Sequence, residues 1–134
     1  VACAVGSAVL DYIEKNRLVK RSEELGKYFL DKLQSLKDSD SVGDVRGIGL
    51  FSGIEFVKDK PSKEPFSAEA RFNQMILEHC FNNGLLVYPG FGSVDGVKGD
   101  HIQVAPPLII SRSQIDEIVQ ILAKSVIEAE AGLS

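Results

Sequence analysis

Three side chains combine a useful chemical type with a position on an extended segment: Arg46, Tyr88 and Gln103. Arg46 lies between Val45 and Gly47 at a strand end, where a long cation reaches across a cleft. Its guanidinium suits bidentate binding of a carboxylate or phosphate, or an ion pair with an acid at an interface. Tyr88 closes the run Leu85-Leu86-Val87-Tyr88 just before Pro89-Gly90, a place for a substrate-facing side chain or for core and interface packing. Gln103 stands between the apolar Ile102 and Val104, so its amide is either satisfied by backbone or aimed into a pocket.

Other chemistries find no support. There is no GxSxG, neither cysteine has a matched histidine, and no carboxylates pair at interpretable spacing. Gly47-Ile48-Gly49-Leu50-Phe51-Ser52-Gly53 misses the GxGxxG spacing by one and is followed by strand-like alternation, so it reads as a tight turn between strands. Cys3 and Cys80 sit in apolar helical patterns without CxxC spacing and read as buried free thiols in a reducing compartment. His79 and His101 match no zinc-ligand pattern, so no metal is expected. With 134 residues, 44% hydrophobic, the chain is long enough for a real core. Its net charge of −4 is mild. There is no basic patch for nucleic acid and no apolar run of roughly 20 residues for a membrane span.

The elements that must position these residues follow from periodicity. An opening helix runs to about Lys15 and is broken at Asn16. A second, amphipathic helix carries Leu18, Leu25, Phe29, Leu33 and Leu36 to about Lys37. Extended segments follow near Val42–Arg46 and Leu50–Val57. In the second, Phe51, Gly53, Glu55 and Val57 face one way and Leu50, Ser52, Ile54 and Phe56 the other. Ser67 is read as the N-cap of a third helix with the stripe Phe72, Met75, Ile76, His79 and Cys80, ended by Gly84 as a left-handed C′ residue. Leu85–Tyr88 is a short strand, and the glycine-rich stretch after it is a loop. Residues 102–105 form a strand that Pro106-Pro107 must stop. Ser111 and Gln114 make a capping box for the last helix, with Ile110 and Ile115 as its hydrophobic staple. Together these give a small α/β sandwich, one sheet layer covered by helices.

Val1-Ala2-Cys3-Ala4-Val5-Gly6-Ser7-Ala8 opens in a helical pattern without an initiator Met or a signal-peptide pattern, as a piece of a longer protein would. Val1, Val5, Val9 and Ile13 recur at four-residue steps and predict an apolar face left uncovered. Taken alone, the residues leave two classes open: part of an enzyme, or a standalone binding or regulatory module.

Four ordered stretches narrow the choice. Val1-Ala2-Cys3-Ala4, Asp44-Val45-Arg46-Gly47-Ile48-Gly49-Leu50, Gly84-Leu85-Leu86-Val87-Tyr88-Pro89-Gly90 and Gly99-Asp100-His101-Ile102-Gln103-Val104-Ala105-Pro106-Pro107-Leu108-Ile109-Ile110 resemble elements of the class III (omega) aminotransferases. The resemblance implies the C-terminal part of a pyridoxal-phosphate enzyme, an α+β two-layer sandwich with a mainly antiparallel sheet. Residues 1–16 would be the last helix of the cofactor-binding large domain and 17–134 the small domain. The family's Schiff-base lysine, pyridinium-pairing aspartate and phosphate-binding threonine would all lie upstream. No catalytic or cofactor-binding residue is therefore expected here, and no pyridoxal 5′-phosphate on this piece alone. Amino-group transfer between an amine or amino acid and a keto acid, a cytoplasmic location and a homodimer are implied for the complete protein. Arg46, Tyr88 and Gln103 become candidate substrate-binding residues. Members of the ornithine type carry arginine where Gln103 stands, so the neutral amide departs from their carboxylate recognition.

Overall fold

A computed structural model describes residues 1–133. Helix α1 (Ala2–Lys15) ends at Asn16, and Arg17, with φ 50°, turns the chain into α2 (Leu18–Leu33). The last turn of α2 tightens into a 3₁₀ helix over Gln34–Asp38. Strands β1 (Val42–Ile48) and β2 (Phe51–Phe56) form a hairpin in which Ile48 pairs with Phe51. Gly49 supplies the positive φ, 54°, at the first central position of its two-residue turn, as a type II′ turn requires. Helix α3 (Phe72–Asn82), strands β3 (Tyr88–Gly90) and β4 (Asp100–Val104), and helix α4 (Arg112–Ala131) complete the chain.

All pairings are antiparallel, and the spatial order is β1-β2-β4-β3. Helices α2, α3 and α4 cover one face of this four-stranded sheet. Val45, Ile54, Ile102 and Val104 point from the strands into the core, where Phe29, Leu33, Ile76 and Leu122 meet them from the helices. Phe72 is fully buried, stacked on Phe66 with centroids 4.3 Å apart and edge-on to Phe56 at 5.5 Å. Losing such a ring to alanine costs about 3–5 kcal/mol. The capping box is formed as read: Ser111 Oγ accepts from the Gln114 N–H, and Gln114 Oε1 accepts from the Ser111 N–H. Ile110 and Ile115, the staple, are both buried.

Four local expectations are corrected. The short strand is Tyr88–Gly90 rather than Leu85–Tyr88, because Leu85 is taken by the helix terminus: its N–H donates to the Cys80 carbonyl around Gly84, whose φ is 86°. Pro89 is tolerated inside β3 because β3 is an edge strand. Ser67 precedes a 3₁₀ turn (Ala68–Ala70), while α3 starts after Arg71, with φ 51°. There Asp100, from β4, accepts from the Asn73 N–H at 3.2 Å. Val57 is buried rather than facing outward, because it lies beyond the strand and packs over Gly43 beside the β1 irregularity between Val42 and Asp44. Cys80 is buried, but Cys3 is exposed, since nothing among the described residues covers that side of α1.

Candidate functional site

The uncovered face of the sheet gathers the three candidate residues. In the antiparallel register Arg46 pairs with Gly53, Gly53 with Gln103, and Gln103 with Tyr88. Directly paired residues share a face, so Arg46, Gly53, Gln103 and Tyr88 form one row across all four strands. Strands lie ~4.8 Å apart, which spaces the row over roughly 14 Å. The alternate residues Ser52, Ile54, Ile102 and Val104 are buried on the opposite, helix-covered face. The next row along the sheet places Asp44 opposite Glu55 and Glu55 opposite His101.

The roles within the row differ. Arg46 Nη1 donates to Asp44 Oδ2 at 2.9 Å and to Glu55 Oε2 at 2.8 Å, and Lys37 Nζ lies 3.2 Å from Asp44 Oδ1. Burial alone would raise the Asp44 pKa, but the hydrogen bonds from Arg46 and Lys37 outweigh it and hold the carboxyl below its ordinary value. Hydrogen bonds to Glu55 and Asp44 push the Arg46 guanidinium up. Arg46 is thus ion-paired within the sheet, to acids of β1 and β2 rather than at an interface. Tyr88 is 71% exposed, which removes core packing within the described residues. Gln103 is half-buried, with its side chain on the open face. Among the described residues, the side-chain hydrogen bonds of this row belong to Arg46.

Composition and spacing did not single out Gly53, Glu55 or Asp44. The signal available for the first two was the alternation in Leu50–Val57, which puts Gly53 and Glu55 on one side of the strand. Clefts elsewhere include one of about 390 Å³ beneath Pro106 and Pro107, and one of about 340 Å³ between Asn73, Phe91 and Asp100. Neither is lined by Arg46, Tyr88 or Gln103. No group of three or more metal-binding side chains exists among the described residues, and no helix there is long and apolar enough to cross a membrane.

A family model for aminotransferase class III matches residues 1–126. The chain belongs to the class III aminotransferases. An uncharacterized aminotransferase of Schizosaccharomyces pombe is 43% identical over 134 residues, covering 99% of this chain and 29% of that protein. The human mitochondrial alanine–glyoxylate aminotransferase 2 is 41% identical over 127 residues, covering 94% of this chain and 23% of that one. The crystal structure of a transaminase from the marine bacterium Virgibacillus matches with a TM-score of 0.91 at 28% identity, covering 99% of this chain and 29% of that one. The chain thus spans less than a third of the length of these relatives.

The class III family implies pyridoxal phosphate, and covalent attachment of that cofactor would need a sheltered lysine among the ten of this chain. None is buried. Lys60, the least exposed, gives its ammonium to the carbonyl oxygens of Lys37 and Ser39. A sheltered lysine free to react is therefore missing, and these residues do not by themselves fit the cofactor. What the class III chain does contribute is a rigid, helix-backed sheet with one polar face.

Proposed function

We propose that this chain is the C-terminal portion of a pyridoxal-phosphate-dependent aminotransferase, with residues 1–16 the last helix of the large domain and 17–134 the small domain. The complete protein transfers an amino group between an amine or amino acid and a keto acid, as a cytoplasmic homodimer. The cofactor chemistry belongs to residues outside this chain, and the chain alone is inactive. Its own contribution is positioning and exclusion of water: the sheet closes over the site and presents Gln103 and Tyr88 to the substrate.

One observation carries this reading: the polar row Arg46, Gly53, Gln103, Tyr88 on the uncovered sheet face of a class III chain. The boundary near residue 16 is supported by α1, which buries no residue and is separated from α2 by the left-handed Arg17. The free thiols of Cys3 and Cys80 support a reducing compartment.

The test uses the complete protein loaded with pyridoxal phosphate. Its kcat/KM is measured for an α-amino acid donor and for an amine without a carboxylate. Because Arg46 is already paired, Gln103→Arg adds a free cation to the row. It should favour the α-amino acid by about tenfold or more, the worth of a charged hydrogen bond of ~1.5–3 kcal/mol. Equal effects on both donors would remove Gln103 from the substrate site. A complete protein that binds ligands without transferring nitrogen would favour the standalone binding module.

A further inference from the structure

Glycine in a strand interior gives up packing and backbone entropy, and it often marks a close approach by another group. Most glycines of the β1–β2 hairpin have a reason inside the chain. A Cβ on Gly43 would lie 2.7 Å from the Val57 side chain, one on Gly47 would lie 2.6 Å from the Phe51 carbonyl oxygen, and Gly49 has positive φ. Gly53, in mid-β2, has none of these. Its φ is outside the left-handed region, and the nearest atom to an added Cβ is the Ile102 carbonyl oxygen at 3.9 Å. A side chain would fit. Nothing among the described residues therefore requires its absence, and the space above it is on the open face.

The surroundings of Gly53 set what that space suits. Arg46 and Gln103 flank it on the neighbouring strands, and Phe51 and Glu55 flank it along its own. Phe51 is 52% exposed and offers an apolar wall. The two acids, Asp44 and Glu55, are matched by the two cations, Arg46 and Lys37, so the depression presents no uncompensated charge. An ionised group placed there would lose water without gaining a partner. An uncharged group loses little, and the Gln103 amide can hydrogen-bond its edge.

We propose that Gly53 is a specificity-determining residue, its missing side chain leaving the seat for the uncharged side group of the amine or carbonyl substrate. The inference rests on the proposed function, in which this face looks towards the substrate. Gly53→Ala and Gly53→Val in the complete, cofactor-loaded protein test it. Two donors are compared, an arylalkylamine and a short alkylamine, with thermal unfolding measured alongside. Gly53→Val should lower kcat/KM for the arylalkylamine by about tenfold or more, mainly through KM, with Gly53→Ala in between. The short alkylamine should stay within about twofold of wild type, and Tm should hold or rise, because valine suits a strand. Equal losses for both donors with a lowered Tm in both variants would mean that a protein segment, not substrate, occupies the seat. Unchanged kinetics for both donors would leave the seat without a role and overturn the proposal. A wild-type complete protein that transfers nitrogen from no donor overturns the proposed function and this inference together, which the wild-type control tells apart from a failure of Gly53 alone.

Discussion

Single carboxyl groups in this chain titrate in opposite directions, and the cause is visible in each case. Burial raises the Asp100 pKa, and the Asn73 N–H it accepts only partly offsets this. For Glu130, burial also acts upwards, but hydrogen bonds from Ser41 and Ser39 win and lower it. The linkage signs therefore differ. Glu130 contributes stability that is present above its ordinary value of 4.5 and is lost as pH falls through the lowered folded value. Asp100, raised from 3.8, binds its proton more readily when folded, so its contribution falls as pH rises from 3.8 through the folded value. Asp100→Asn keeps an acceptor for the α3 terminus and removes that titration. Urea unfolding across the acidic range should show the variant losing less stability than wild type as pH rises through this window. Parallel pH profiles would show that Asp100 is not the group responsible.

Between elements, the tightest constraint is the contact of α2 with the β1–β2 turn. Gly26 lies in mid-helix, where alanine would ordinarily be favoured by about 1 kcal/mol. Here a Cβ on Gly26 would overlap the backbone of Gly49, including its carbonyl oxygen. Backbone at a left-handed turn position does not rearrange as a flexible side chain does. Gly26→Ala should therefore reverse the usual sign and destabilise by about 3 kcal/mol, at the upper end of overpacking in a core. Chemical denaturation measures it directly. A variant as stable as wild type would mean that α2 and the hairpin are not held this closely. The Leu50 N–H donating to Ser22 Oγ at 3.3 Å joins the same two elements one turn earlier in the helix.

At the scale of the whole molecule, α1 stands apart from the sandwich. It buries no residue, packs mainly on α2, and exposes Val5, Val9, Leu10 and Tyr12. A lone helix of this length is marginal in water, and apolar area left uncovered favours association at roughly 25 cal/mol per Å². The chain as it stands should therefore self-associate through α1 with rising concentration. Sedimentation should detect this, and Val5→Lys with Val9→Lys should abolish it without lowering the Tm of the sandwich. A chain that stays monomeric at every concentration with α1 fully helical would refute the role given to this face.

What the sequence determined by itself was mostly local or carried by motif. The Ser111–Gln114 box, the Gly49 turn and the Gly84 terminus follow from chemistry within a few residues, and four ordered motifs were enough to indicate the family. Alternation along Leu50–Phe56 also separated the buried from the open side of β2. Strand β3 was misplaced because Leu85 had two claims on it, a hydrophobic run and the end of α3, and the helix terminus won. The fate of Arg46 needed the tertiary structure, because its partner Glu55 becomes a neighbour only when β1 pairs with β2, and Lys37 of the 3₁₀ helix reaches its other partner, Asp44, only when that helix packs beside β1. The row Arg46, Gly53, Gln103, Tyr88 likewise exists only through the register of three strand pairs. A slip of one residue would turn every one of these side chains to the other face, and no local pattern fixes pairing between strands some fifty residues apart.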